Sequence, residues 1–435
     1  MKICLLSYRG HPFGGGQGIY IHNLSKALVN LGHEVDLLSG NPHPVVVDAV
    51  RVHKLESLDA YSWTGHLPPE PVRLIYPLNL YEVGSVLLGG FPEPFTFSIR
   101  AHRKLWSLLR QRRFDVIHDN QCLGYGMLLM KQFKIPIVCT IHHPVSVDRD
   151  VDIRNAKGWM KFKLFRWYSF LTMQRFVAHR MDRILAVAES SADDTSKSFK
   201  IPREKFRVVY NGIDCDLFHS NGSSPKKPNS LIVVGGYSPI KGLTHLLKAM
   251  TLLRGELDLK LTIIGGPPDG KYSGGLVREY GLQDSVIFTG RISHEELVKQ
   301  YAASQVAVVP SLYEGFGFPA GEAMACGVPV ISSSAGALPE VVGPDGEAGV
   351  LVPPAEPTFV MTCSSQGLKG ASRSSICRAI RSVSRMLVPC GARMSITARS
   401  GSPSGKNSVP LPIFPYNIAR ATSRQKARNR VSPGL

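Results

Sequence analysis

The sequence predicts an α/β protein built from two doubly wound domains that face each other across a cleft. Three observations predict it. Short apolar runs alternate with stretches of helical periodicity, the runs are continuously apolar instead of alternating, and the rhythm stops once, near 206–229, before it begins afresh. Continuous apolar strands belong to parallel sheets covered on both faces. A chain of 435 residues has room for two or three domains, and 43% hydrophobic with 19% charged residues excludes fibrous and disordered classes.

The first series opens with a strand over Lys2–Ser7, a glycine loop Gly14-Gly15-Gly16-Gln17-Gly18, and a helix with Ile21, Leu24, Leu28 and Leu31 on one face, which Gly32 ends. Strands follow at Val35–Leu38, Val116–His118, Ile137–Ile141 and Ile184–Ala188. The turn-rich stretch 206–229 contains NGID and SNGSSPKKPNS. The second series runs LIVVGG, a helix from Thr244, LTIIGG, a helix from Gly275, VIFTG, the helix SHEELVKQYAAS, VAVVPS, a helix from Pro319, VPVISS and GVLVPP. Ligands of such sheets bind beyond the carboxyl ends of the strands, so those loops are where chemistry is expected.

Three consecutive glycines before a helix let a phosphate or sugar approach the backbone and the free N–H groups of the helix start. The spacing misses G-x-G-x-x-G, and the second strand ends Leu38-Ser39-Gly40 without an acid, which argues against a dinucleotide; a tight turn and an anion contact both remain open. In the second series, Lys241 stands in Gly235-Gly236-Tyr237-Ser238-Pro239-Ile240-Lys241-Gly242, where a cation beside free donors suits a diphosphate and a merely solvated lysine is the plainer reading. The segment from Pro310 to Glu322 is the strongest signal. Pro319 starts a helix that Gly327 ends, Glu322 lies in its first turn, and Glu314 lies in the glycine-bearing loop before it. A carboxylate accepts both hydroxyls of a vicinal diol, such as a ribose or hexose presents, and the alternatives are a dipole-complementing helix residue and an exposed loop acid. Nothing in the spacing sets the distance that a glycosidase carboxylate pair requires. Cys139-Thr140-Ile141-His142-His143-Pro144 closes a strand, which aims His142 or His143 at the cleft as a hydrogen-bond donor to a substrate oxygen.

Together, GGGQG with its helix, the T-I-H after IPIVC, VVYNGID, SPIKG, and Glu314 and Glu322 seven residues apart in EGFGFPAGEAMACGVPVI resemble family 4 (group 1) glycosyltransferases of the GT-B fold, from Met1 to about Pro357. The resemblance implies two Rossmann-like domains: 1–205 on the acceptor side, a linker at 206–228, and 229–357 on the nucleotide-sugar side. It implies retaining transfer of a hexosyl group from a UDP- or GDP-type sugar to a sugar, lipid-linked or small-molecule hydroxyl, with no metal and no other cofactor. By position, Glu314 would hold donor-sugar hydroxyls, Glu322 the ribose diol, and Lys241 the diphosphate. The N–H groups of Gly317 and Phe318 would add to the anion site, Gly14, Gly15 and Gly16 would approach the phosphate or acceptor, and His142 would contact the donor sugar. The family often has Arg five positions before the Lys; here that position is Gly236, and Arg291 is the substitute considered.

Two segments stand apart. Lys157–Arg180 carries six basic residues among seven aromatics, which suits an anionic membrane surface, although the lack of a clean helical face favours a domain-packing helix. From Ala355 onward there are 13 basic residues, 14 Ser and one acid, Glu356, so +12 of the net +18 belongs to the last 81 residues. A basic tail binding nucleic acid or membrane on a catalytically impaired protein, an unusual folded ending, and a reading frame shifted near codon 358 compete to explain 358–435; the abrupt change after VLVPPAEP favours the frame shift, and nucleic acid is not the expected partner. Eight scattered cysteines without a C-x-x-C pair, and no run of the roughly 18 apolar residues that a spanning helix needs, point to a cytoplasmic protein with at most peripheral membrane contact.

Overall fold

The computed structural model describes residues 1–10, 16–58, 76–220, 225–235, 238–265, 272–343 and 349–355. Within them the chain forms two parallel sheets with helices on both faces. The first sheet contains β1 (Lys2–Ser7), β2 (Glu34–Ser39), β3 (Arg51–Lys54), β4 (Val116–Asn120), β5 (Ile137–Ile141), β6 (Arg183–Ala186) and β7 (Phe206–Val208), in spatial order β3-β2-β1-β4-β5-β6-β7. The second contains β8 (Ser230–Val234), β9 (Lys260–Ile264), β10 (Val286–Gly290), β11 (Val306–Val309), β12 (Val330–Ser333) and β13 (Gly349–Val352), in order β10-β9-β8-β11-β12-β13. Strand order therefore reverses between β1 and β4 in one sheet and between β8 and β11 in the other, and crevices open at those two points.

The helices of the first half are α1 (Gly16–Asn30), α2 (Pro77–Leu87), α3 (Glu93–Leu109), α4 (Gly126–Met130), α5 (Val145–Asn155), α6 (Trp159–Trp167), α7 (Phe170–Ala178) and α8 (Glu189–Phe199). Those of the second are α9 (Leu243–Leu253), α10 (Ser273–Glu279), α11 (His294–Ala303), α12 (Phe318–Ala325) and α13 (Leu338–Val342). Local signals explain them. Gly32 takes the left-handed φ of 77° just past α1, and Ser293 caps α11 by accepting the Glu296 N–H at 3.2 Å. α3 buries Phe97, Ala101, Leu105 and Leu108 on one stripe, and α9 buries Leu243, Leu246, Leu247, Met250 and Leu253. Two apolar clusters sandwich the first sheet and two the second.

The structure departs from expectation in two places. The linker expected over 206–228 begins with a strand, since β7 pairs with β6 through Ile184–Phe206 and Ala186–Val208. Only three residues long, it leaves too short a pattern to read against the turn signals that follow. The expected domain-packing helix at 157–180 is two helices with opposite fates. α7 buries Leu171, Met173 and Val177 in the core, whereas α6 buries no side chain and holds Trp159, Met160, Phe162 and Phe165 exposed. The tail at 358–435 lies outside the described residues.

The halves meet through side chains. Glu340 of α13 accepts the N–H groups of Glu189 and Ser190 at 2.8 Å each, capping α8, which has no side-chain cap of its own, and it also takes the Tyr210 hydroxyl at 3.0 Å. Tyr313 donates to Asp194 at 3.0 Å, and Lys26 of α1 pairs with Asp214 at 3.0 Å.

Candidate active site

The second sheet's switch point carries a compact polar cluster. After β8 the chain turns through Pro239–Lys241, and Gly242 closes that turn at φ 66°. A Cβ at Gly242 would collide with the Pro310 carbonyl oxygen, so the turn lies directly on the loop after β11 and Leu312 donates to the Ile240 carbonyl at 2.7 Å. Lys241 Nζ then reaches Glu314 Oε1 at 2.7 Å, and the Ser311 hydroxyl donates to the same oxygen at 2.7 Å. Seventy-three positions apart in sequence, Lys241 and Glu314 form one half-buried ion pair. Its position suits a group in which charge develops on a leaving anion.

Glu314 is pressed toward the first sheet. Gly315 lies against the His142 carbonyl so closely that a Cβ would strike it, and Ser191 of α8 donates to the carbonyls of Gly315 at 2.7 Å and His142 at 3.3 Å. His142, just past β5, packs edge-on against Tyr20 at 4.6 Å. Burial, helped by His143 and His118, pushes the His142 imidazole down to about 3, so it is neutral at physiological pH. His143 pairs with Asp148 at 2.7 Å and lies beside Tyr313.

Gly317 adopts φ 100° at the N-cap of α12, a conformation that favours glycine, and so aims the Phe318 end of the helix at the crevice. Gly16, the first residue of α1, sits opposite: a Cβ there would lie 3.8 Å from the Phe318 ring. A cavity of about 180 Å³ follows, lined by Gly18 and Ile19 of α1, Ile213 and Asp214 of the linker, and Phe318 and Glu322 of α12. Glu322 is 6% exposed, accepts the Tyr301 hydroxyl at 3.1 Å, and is pushed up to about 7 by burial. Its charge is thus poised near neutrality, and its carboxylate can accept a diol.

The structure thus gathers Lys241, Glu314 and His142 at one place, with Gly16, Gly317, Phe318 and Glu322 around the adjoining cavity. Gly14, Gly15 and Gly236 lie outside the described residues, and Arg291 follows β10 with an exposed side chain. Sequence reasoning passes over Ser311, Tyr301, Ser191 and Asn120, which hold the named residues in place. Ser311 follows the apolar strand β11 and Asn120 ends β4, and this place at a strand end is the signal that marks them.

Two facing doubly wound sheets with this cluster between them define a glycosyltransferase of the GT-B fold, and the comparisons agree. Residues 14–217 match the model described as Glycosyltransferase Family 4, and residues 216–359 match Glycosyl transferases group 1. An MMP α-(1→4)-mannosyltransferase of Mycolicibacterium hassiacum is 42% identical over 82% of this chain and 86% of its own length. A D-inositol 3-phosphate glycosyltransferase of Streptomyces bingchenggensis is 25% identical over 81% and 78%. The fold is that of sucrose-phosphate synthase from Thermosynechococcus elongatus (TM-score 0.68, 24% identity, 88% of this chain and 94% of that one). It is also that of Anabaena HepE in complex with UDP-glucose (TM-score 0.60, 18% identity, 88% and 95%). The chain belongs to the family 4, group 1 glycosyltransferases.

Two outcomes test the geometry. Gly315→Ala is expected to push the Glu314 loop off His142 and lower kcat/KM by roughly a hundredfold, as an ångström-scale misplacement does, while circular dichroism and nucleoside-diphosphate affinity stay near those of the parent; unchanged kcat/KM contradicts the close approach. Glu322, protonated below about 7 and ionised above it, is expected to accept a ribose diol better at higher pH. Calorimetry should show nucleoside-diphosphate affinity rising roughly tenfold from pH 6 to 8, with Glu322→Gln removing that part of the pH dependence.

Proposed function

We propose that this enzyme is a retaining hexosyltransferase that moves a mannosyl group from a UDP- or GDP-type sugar to a sugar hydroxyl. The Lys241–Glu314 pair at the second switch point, in a loop that Gly315 brings against the His142 carbonyl, carries the reading. The mannosyl preference is supported by the name of the 42% identical relative, an α-(1→4)-mannosyltransferase.

In this reading the bond between C1 of the donor sugar and the diphosphate oxygen breaks. Lys241 Nζ and the N–H groups at Gly317 and Phe318 receive the charge that collects on the departing diphosphate. Glu314 gives up Lys241 to the diphosphate and accepts donor-sugar hydroxyls, while Glu322 holds the ribose diol and Gly16 lets the phosphate or acceptor approach α1. The acceptor oxygen attacks C1 from the face the diphosphate leaves, and its proton passes to the leaving phosphate oxygen, so no protein nucleophile is required. Lys241 supplies the cation at the diphosphate without a metal, and Arg291 is the candidate for a second one.

Acceptor and location belong to the same proposal. No helix among the described residues is long and apolar enough to cross a membrane. The exposed aromatic side chains of α6, set among the exposed Lys157, Lys161, Lys163 and Arg166, support a cytoplasmic enzyme that rests peripherally on an anionic lipid surface. Cys4, Cys122, Cys139 and Cys326 are free thiols, as suits a reducing compartment.

Incubation with UDP- and GDP-sugars and a mannose-containing acceptor, followed by nucleoside-diphosphate release and NMR of the product, is expected to give an α-linked mannoside that survives added chelator. Glu314→Gln should lower transfer at least a hundredfold while nucleoside-diphosphate binding falls far less; equal losses contradict the assigned role. In a separate measurement, the protein should sediment with vesicles containing anionic lipid and not with neutral ones. Phe162→Ser with Phe165→Ser should abolish that without changing the circular dichroism.

A further inference from the structure

The side chain of His142 is held by residues that the proposed mechanism does not use. Asn120 ends β4, is 1% exposed, and sets Oδ1 2.6 Å from His142 Nε2. Its amide nitrogen donates to the Gln17 carbonyl of α1 at 3.4 Å, which leaves the oxygen toward the imidazole. An amide oxygen only accepts. Nε2 must therefore carry the hydrogen, and in a neutral ring Nδ1 is then a bare lone pair.

The surrounding backbone is built to hold this arrangement. Buried Asp119 accepts the N–H groups of Cys122 and Leu123 at 2.9 and 3.1 Å, stabilising a loop in which Gln121 and Leu123 take left-handed φ values of 54° and 49°. Gln121 Oε1 accepts the His142 N–H at 2.8 Å, and its amide donates to the His143 carbonyl at 2.9 Å. The edge of Tyr20 limits rotation of the ring. Other titratable groups around His142 leave it neutral: His143 is committed to Asp148, His118 is paired with Thr140 at 2.7 Å and pushed down to about 4 by burial, and Glu314 across the cleft is committed to Lys241.

We infer that Asn120 is a positioning residue that fixes His142 as the Nε2–H tautomer, so that Nδ1 accepts a hydrogen bond from a donor-sugar hydroxyl. This corrects the donor role expected of His142 from sequence, and it rests on the reading that His142 meets the donor sugar. Selectivity follows from it. The enzyme requires, at one position of the sugar, a group that can give a hydrogen, and a C–F group accepts at best and gives none.

Two readouts test this. In ¹⁵N NMR of the full chain, with the His142 signal identified by its loss in His142→Asn, the Nε2–H pattern is expected from pH 6 to 8 in the parent. In Asn120→Ala a mixture of tautomers is expected. An Nδ1–H pattern in the parent, or an unmixed Nε2–H pattern in Asn120→Ala, overturns the inference without any reference to activity. With a panel of monodeoxy and monofluoro donors, one position is expected where fluorine costs as much as hydrogen, roughly ten- to a hundredfold in kcat/KM. Asn120→Asp, whose carboxylate favours the imidazolium and returns a proton to Nδ1, is expected to recover part of the loss for the fluoro donor, most at low pH. Fluorine tolerated at every position in the parent also overturns the inference. If no natural donor is transferred, the proposed function falls, and the NMR still decides the tautomer.

Discussion

Because Gly315 has no Cβ, the loop carrying Glu314 lies directly on the carbonyl of His142, and the candidate site residues of two separate sheets become neighbours. Neither sheet holds the cluster alone. The second provides Lys241, Ser311 and Glu314 at the β8/β11 reversal; the first provides His142 past β5, with Asn120 at the β1/β4 reversal behind it. Parallel sheets put the carboxyl ends of all their strands on one side, so facing two of them concentrates loop residues in one crevice. The close approach at Gly315 turns that general tendency into specific contacts, which Ser191 fastens from below.

The site's electrostatics follow from the same closeness. His142, His118 and Glu322 are all shifted toward their uncharged forms, each chiefly by burial. Lys241 and Glu314 lie together as an ion pair at 2.7 Å. In the proposed reaction a diphosphate would compete for Lys241, and the carboxylate released would then be available to sugar hydroxyls. One exchange of partners would in this way recognise the two ends of the donor, with Ser311 remaining to hold Glu314 in place.

Much of this is legible in the chain. Continuous apolar runs locate β1, β5 and β10 almost residue for residue, and the segment SHEELVKQYAAS locates α11. Glu314, Glu322 and Lys241 stand out because glycines and strand ends surround them. What escapes is whatever depends on a distant partner. β3 is a polar edge strand recognisable only beside β2, and β7 is a strand only beside β6. α6 reads as a packing helix until its surroundings are known. A histidine's ring offers donor and acceptor alike, and the choice between them at His142 is made by an amide 22 positions away. The net charge of +18 is the least informative feature, since most of it lies in the segment from Ala355.

The Glu340 contact gives domain motion an internal cost. Its carboxylate supplies the acceptors that the first N–H groups of α8 lack within their own domain. A swing that parted the sheets would strip that cap, so that fraying of one helix end would accompany it.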